Sequence, residues 1–226
     1  LIIANAAVFV VQTLLGATAY GGLFTQLFGL FPPLVVHRLY LWQPVTYMFL
    51  HGGFFHIFWN MLTLWMFGVD VEARMGTPRF LKFYFLCGVG AGLCDVAVSE
   101  ALGHGSRTTI GSSGAIYGVL LAYGLLYPTR RILWNFLFPI QARYFVMIAA
   151  AFAFMGSVDS NSPVSNVAHL GGMVFGYLYL RFGLHRLRVN WNMGSSYEKW
   201  RRRRAQKKFQ VFMKKTEKRD EDRWVN

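Results

Sequence analysis

Six apolar segments constrain the fold of this chain more than any other feature. Each is close to the roughly 20 apolar residues that a helix needs to cross a bilayer. Hydrophobic residues make up 54% of the chain and charged residues only 15%, which is unusual for a soluble domain. We therefore predict an all-α membrane protein with six transmembrane helices. The six segments are residues 1–20, 53–71, 79–101, 112–128, 143–158 and 164–184.

The connections between these segments are also partly apolar. Residues 130–143 mix basic and apolar side chains around Pro139, which is typical of a segment at the membrane interface. Residues 20–52 are apolar enough to rest partly in the same region. Because the chain begins at Leu1 inside an apolar run and without Met, we expect it to be part of a longer sequence.

Positive charge is concentrated at the C-terminal end. Residues 1–180 carry eight Lys or Arg against five Asp or Glu, whereas residues 181–226 carry fifteen against five. Since basic loops stay on the cytoplasmic side, both ends are predicted to be cytoplasmic, with "GHGS" and "DSNSP" on the outer side. We divide the chain into a six-helix membrane domain, residues 1–184, and a basic cytoplasmic tail, residues 185–226.

The tail is best interpreted as a solvated segment held near anionic lipid, because clustered Lys and Arg beside a membrane bind its negative surface without a specific partner. Nothing beside the basic run matches a nucleic-acid-binding motif, so we expect no nucleic acid partner.

A few polar side chains interrupt the apolar segments, and each is a candidate functional residue because such groups are costly inside a bilayer. His56 and Asn60 are four residues apart, so they project from one face of a helix. By itself this pair is typical of a hydrogen-bond contact between helices. Asp95, together with Glu100, is interpreted as marking the outer end of the third helix.

The fourth and sixth segments both open with polar residues among glycines. Glycines four residues apart allow two helix backbones to come close, and packing alone can account for serines there. Both openings are predicted to face the same side of the membrane, however, so Ser113 and His169 could come within hydrogen-bond distance. The close-packing residues expected at this contact are Gly111, Gly114, Gly118, Gly172 and Gly176.

Other types of site find little support in the sequence. The serine is not in the G-x-S-x-G elbow of soluble hydrolases, since Ala115 occupies the position of the last glycine. Cys87 and Cys94 lack disulfide or zinc spacing and are interpreted as packing residues. His, Cys and carboxylate residues do not cluster at ligand spacing, so we expect no metal and no organic cofactor.

Taken in order, these residues resemble the rhomboid family of intramembrane serine proteases, from about residue 42 to residue 183. The family has an H-x-x-x-x-H-x-x-x-N run, an E-x-R-x-G motif, G-x-S-G with a tyrosine four residues beyond the serine, and A-H-x-x-G-x-x-x-G. The chain departs from the family where Gln43 follows Trp42, a position at which members often carry Arg. The matching residues are His51, His56, Asn60, Glu72, Arg74, Gly76, Gly111, Ser113, Gly114, Tyr117, Ala168, His169, Gly172 and Gly176.

The resemblance implies a catalytic dyad in which Ser113 is the nucleophile and His169 the general base. Tyr117 would pack against the imidazole and orient it. The side chains of His56 and Asn60, with a backbone N–H, would stabilise the oxyanion. A polar cavity open to the outer side would admit water and would be lined by His51, His56, Asn60, Ser113 and His169.

The resemblance also implies the partners and location. The substrates would be transmembrane proteins, cut near the outer end of a locally unwound helix. The six-segment core resembles a multi-pass bacterial enzyme of the inner membrane.

Two other functions are compatible with parts of the sequence. A rhomboid-like protein that binds transmembrane clients without cutting them usually lacks the serine or the histidine, and this chain has both. A small transporter or channel would be expected to contain inverted repeats, and no internal repeat is visible. Both alternatives predict that Ser113→Ala leaves the main activity intact, whereas a protease would lose it.

Overall fold

A helix lies in each of the six apolar segments. The structure, a computed structural model, describes residues 1–103, 108–134, 138–157 and 165–183. In chain order the described helices are α1 (Ile2–Gly16), α2 (Gly21–Phe28), α3 (Pro32–Arg38), α4 (Gln43–Thr46), α5 (Phe54–Met75), α6 (Thr77–Ala101), α7 (Ser113–Leu126), α8 (Ala142–Ser157) and α9 (Asn166–Leu178). A 3-10 turn, Tyr47–Phe49, precedes α5, and a π-helical turn, Tyr179–Gly183, follows α9.

The six helices in the apolar segments differ in length. By length and composition, α5 and α6 are each able to cross a membrane, whereas α1, α7 and α8 are shorter apolar helices. The helical part of the expected fold is therefore present, while the number of membrane crossings stays a prediction. The basic tail and the sequences "GHGS" and "DSNSP" lie wholly or almost wholly outside the described residues.

The connector between α7 and α8, which the sequence analysis placed at the membrane interface, contains two short strands. It forms an antiparallel hairpin of β1 (Arg131–Trp134) and β2 (Phe138–Gln141). Pro139 is tolerated because a strand in a two-stranded hairpin has an open edge that needs no N–H donor. The fold is mostly helical, with this short hairpin added.

The loop before α5 contains three short helices that the sequence analysis did not predict. Its centre is the fully buried side chain of Gln43, whose amide accepts from the backbone N–H of Phe31 at 2.9 Å and donates to the carbonyl oxygen of Gln26 at 2.8 Å. Trp42 donates its indole N–H to the carbonyl oxygen of Leu27 at 2.8 Å. An uncharged amide thus anchors this loop.

Gly76 sets the tight connection between the two longest helices. It has φ of +82°, in the region that favours glycine, and its N–H donates to the carbonyl oxygen of Glu72 at 2.7 Å. Pro78 then lies in the first turn of α6, where its missing N–H costs nothing. One residue therefore separates α5 from α6.

Helix α9 packs in the middle of the bundle, against both α6 and α7. Small residues make this possible: a Cβ on Gly90 of α6 would lie 2.3 Å from the ring of Phe175 on α9. Cys87 is fully buried in the same core, in agreement with its interpretation as a packing residue. This packing brings the first turns of α7 and α9 together.

Candidate active site

Ser113 and His169 meet where α7 and α9 begin. The Oγ of Ser113 lies 2.8 Å from Nε2 of His169, although 56 residues separate them in the chain. The imidazole is almost fully buried, at 7% exposure. A hydroxyl at this distance can donate to a neutral imidazole nitrogen, which is the geometry that a general base needs.

Two glycines allow this approach. A Cβ on Gly172 would lie only 1.9 Å from the carbonyl oxygen of Gly114, and one on Gly176 would lie 3.2 Å from Cα of Gly118. The backbones of α7 and α9 therefore lie against each other at two positions about one helical turn apart. No residue with a side chain fits at position 172 unless the helices separate.

Tyr117 fixes the plane of the imidazole. Its ring stacks on His169 with centroids 4.1 Å apart and planes inclined by only 6°. When Nε2 of His169 accepts from Ser113, the ring proton sits on Nδ1. That Nδ1 atom is buried and has no hydrogen-bond partner among the described residues. Stacking, rather than a third polar group, is therefore the contact that orients this ring in the described chain.

His56 and Asn60 lie beside the segment that leads into α7. The backbone N–H of Gly52 donates to Nδ1 of His56 at 3.2 Å, so the proton of the neutral ring is on Nε2. A Cβ on Gly111 would lie 2.9 Å from this Nε2 and 3.9 Å from Nδ2 of Asn60. The Asn60 Nδ2 is buried and unpaired among the described residues. The N–H donors of His56 and Asn60 thus lie close to the backbone segment that precedes Ser113.

Gly111 is needed here for two reasons. Its φ is +123°, a conformation that residues with side chains rarely adopt. Its N–H donates to the carbonyl oxygen of Tyr47 at 2.9 Å, which holds the entry to α7 against the loop before α5.

His51 lies next to Ser112 rather than next to the dyad. Its Nδ1 is 3.3 Å from the carbonyl oxygen of Phe49, which can only accept, so Nε2 is the acceptor for the Ser112 hydroxyl at 3.4 Å. Burial, and to a smaller extent the neighbouring imidazole of His56, lowers the pKa of His51 to about 4. The ring is therefore neutral at physiological pH.

The sequence analysis missed Gln12, which holds His51 in place. Its side-chain amide donates to the His51 carbonyl oxygen at 2.9 Å and accepts from the His51 N–H at 3.0 Å. This pairing links α1 to the loop before α5. Only the polar character of Gln12 in a mostly apolar helix could have identified it.

A cavity of about 330 Å³ adjoins Ser113. Of the five residues that the resemblance placed in its walls, Ser113 and His56 line the cavity. His51, Asn60 and His169 do not line it. Other lining residues are Tyr47, Gly52, Thr109, Gly111, Ser165 and Ala168.

Two hydroxyl residues of this wall, Thr109 and Ser165, contact Asp95, which the sequence analysis treated only as a marker of the helix end. Asp95 is near the C-terminal end of α6, but it is also buried and hydrogen-bonded. Within the described ranges, His, Cys, Asp and Glu side chains form no group of three that could hold a metal ion.

The chain matches a known protein family. Residues 38–186, well over half of the chain, match the family of the rhomboid domain. The chain belongs to the rhomboid family. It is therefore a helical integral membrane protein, and the substrates of this family are in general membrane proteins. The rhomboid family includes intramembrane serine proteases and also inactive members.

Three similar rhomboid proteins come from different kingdoms. "Rhomboid protein 1, mitochondrial" of Saccharomyces cerevisiae is 30% identical over 161 residues, which is 70% of this chain and 43% of the yeast protein. "RHOMBOID-like protein 1" of Arabidopsis thaliana is 31% identical over 145 residues, which is 64% of this chain and 35% of the Arabidopsis protein. "Rhomboid protease GluP" of Bacillus subtilis is 32% identical over 136 residues, which is 60% of this chain and 25% of the Bacillus protein. This chain thus spans less than half the length of each of these three relatives.

Proposed function

We propose that this rhomboid protein is an intramembrane serine endopeptidase that hydrolyses peptide bonds in or near the transmembrane segments of membrane proteins. The observation that supports this most directly is the 2.8 Å contact between Ser113 Oγ and His169 Nε2. The stacked ring of Tyr117 supports the same assignment, since a general base must be held in one orientation.

In the proposed reaction, Ser113 Oγ attacks the carbonyl carbon of the peptide bond while its proton passes to His169 Nε2. The carbonyl π electrons move to oxygen, giving a tetrahedral oxyanion. The C–N bond then breaks, and the amine leaves with the proton from His169. Water attacks the resulting ester by the same proton route, which releases the second product and regenerates the serine.

The oxyanion would be stabilised by Nδ2–H of Asn60, Nε2–H of His56 and the backbone N–H of Ser113. The unpaired Asn60 Nδ2 favours this role, because a buried N–H without a partner is costly unless a ligand uses it. The N-terminus of α7 adds a positive dipole end at the same place. His51 and Ser112 would support this side of the site without touching the substrate.

The substrate would be a transmembrane helix that unwinds near its outer end, because a regular helix keeps its carbonyl groups bonded and shielded. We further propose six membrane crossings with both ends cytoplasmic, as in a multi-pass protein of a bacterial inner membrane. Residues 185–226 would then form a cytoplasmic tail near anionic lipid.

The test is labelling of the purified protein in detergent with a fluorophosphonate, which phosphonylates activated serines. We expect the unaltered chain to be labelled, Ser113→Ala and His169→Ala to be unlabelled, and peptide mapping to locate the label on Ser113. Ser157→Ala is the matched control, since its hydroxyl donates to the carbonyl oxygen of Phe154 within α8.

Absence of labelling in a folded, unaltered protein would contradict the proposal. It would then favour a rhomboid relative that binds transmembrane clients without cutting them. Labelling that persists in Ser113→Ala would place the reactive serine elsewhere.

A further inference from the structure

One carboxylate is hydrogen-bonded to the segments that lead into both helices of the dyad. Asp95 of α6 is only 6% exposed. Its Oδ2 accepts from the hydroxyl of Thr109 at 2.7 Å, and its Oδ1 accepts from the hydroxyl of Ser165. Thr109 precedes α7, and Ser165 precedes α9. The two oxygens of one side chain therefore hold two segments that are far apart in the chain.

On the α9 side, Ser165 transmits this contact to the base. Its Oγ accepts from the backbone N–H of Ala168 at 3.2 Å and so caps the helix. His169 is the next residue. Because the Ser165 oxygen is already an acceptor for the helix, its proton is available to the carboxylate, and Asp95 fixes the position of the first turn of α9.

On the α7 side, Thr109 is held from two directions. Its backbone exchanges two hydrogen bonds with Leu30, at 2.8 and 2.9 Å, and its side chain is held by Asp95. The N–H of Gly111 is bonded to Tyr47 shortly afterwards, and α7 begins at Ser113. The backbone segment that leads to Ser113 is thus also held against α6.

We propose that Asp95 is a positioning residue, which sets the distance between Ser113 and His169 by holding Thr109 and Ser165 at once. The inference rests on the proposed serine protease function. Asp95 does not act as a third member of a triad, because His169 Nδ1 has no partner among the described residues. It acts only through the two hydroxyls.

A carboxylate suits this role better than its amide. Ionised Asp accepts from both hydroxyls with charge-assisted hydrogen bonds, which are shorter and stronger than neutral ones. The amide of Asn accepts from one hydroxyl through its oxygen, and it can keep the second only in reverse, with its NH₂ group donating to the hydroxyl oxygen. In Asp95→Asn both attachments therefore become neutral and weaker, and one changes direction, while the volume of the side chain is kept.

The experiment follows fluorophosphonate labelling of Ser113 over time and separates the rate constant from the final labelled fraction. We expect Asp95→Asn to lower the rate constant at least about tenfold, since a displacement near 1 Å can cost about a hundredfold. The labelled fraction should stay that of the unaltered chain. Glu100→Gln is the matched control, because this carboxylate is also on α6 but pairs with His37.

Coupling to the two hydroxyls is tested with Thr109→Val and Ser165→Ala, each alone and combined with Asp95→Asn. If Asp95 acts through them, each single variant lowers the rate constant, and each double variant lowers it less than the product of the single effects. If Asp95→Asn fails to fold, the single variants at the two hydroxyls decide, and unchanged rate constants in both would overturn the inference.

Two other results would also overturn it. These are an unchanged rate constant in Asp95→Asn and fully multiplicative effects in the double variants. An unchanged rate constant with a reduced labelled fraction would assign Asp95 to folding alone. Failure of the unaltered chain to react at all is a different result, since it overturns the proposed function and the inference with it.

Discussion

Replacing Gly172 with alanine is expected to separate α7 from α9 and to slow the reaction at Ser113. The added Cβ would lie 1.9 Å from the carbonyl oxygen of Gly114, whereas real Cβ atoms essentially never approach within 3.0 Å. Because this oxygen belongs to the backbone of a packed helix, it cannot rotate away as the end of a side chain could. The two helices must therefore move apart by about 1 Å.

That displacement is enough to break the dyad. Added to the 2.8 Å between Ser113 Oγ and His169 Nε2, it takes the pair beyond hydrogen-bond distance. We expect the rate of fluorophosphonate labelling to fall about a hundredfold. Overpacking should also lower the free energy of unfolding by about 1–3 kcal/mol.

Gly176→Ala provides a graded control on the same helix. Its Cβ would lie 3.2 Å from Cα of Gly118, so a shift of a few tenths of an ångström relieves the contact. We expect a smaller loss of rate and of stability, measured by labelling kinetics and by denaturation in detergent. Equal rates for Gly172→Ala and the unaltered chain would refute the assignment of this contact.

Three further predictions concern residues around the dyad. Asn60→Ala should slow labelling about 100- to 1,000-fold if its N–H stabilises the oxyanion, and the isosteric Asn60→Asp, which has no such donor, should not restore the rate. Tyr117→Leu should slow labelling about tenfold through loss of ring orientation, whereas Tyr117→Phe keeps the stack and should stay near the original rate. Gln12→Leu removes both hydrogen bonds to the His51 backbone and should lower the free energy of unfolding by about 1–3 kcal/mol in a denaturation experiment. Thr13→Val is its control, because that hydroxyl donates to the carbonyl oxygen of Phe9 within α1, and equal losses in the two variants would contradict the role of Gln12.

The helices in the apolar segments could be predicted because their signal is local. Long apolar runs produce helices wherever backbone groups must be satisfied within the segment. The short helices α2–α4 and the β1–β2 hairpin have no such signal. The form of α2–α4 depends on contacts such as those of Gln43 with Gln26 and Phe31, which hold this loop from within.

Parts of the candidate site were also readable from the sequence. Ser113 and His169 were identified by motifs in the right order, and glycines four residues apart indicated where two helices could meet. Ser165 had a recognisable signal too, since a serine directly before a helical segment is a typical N-cap.

By itself, the sequence determined that this chain is a helical membrane protein of the rhomboid family and which serine and histidine are the candidate pair. Only the tertiary structure decided how that pair is held. Asp95 contacts residues 14 and 70 positions away, and Gln12 contacts one 39 positions away. Hydrogen bonds over such separations leave no periodic pattern in a single sequence, because they depend on how the helices pack and not on the neighbours of each residue.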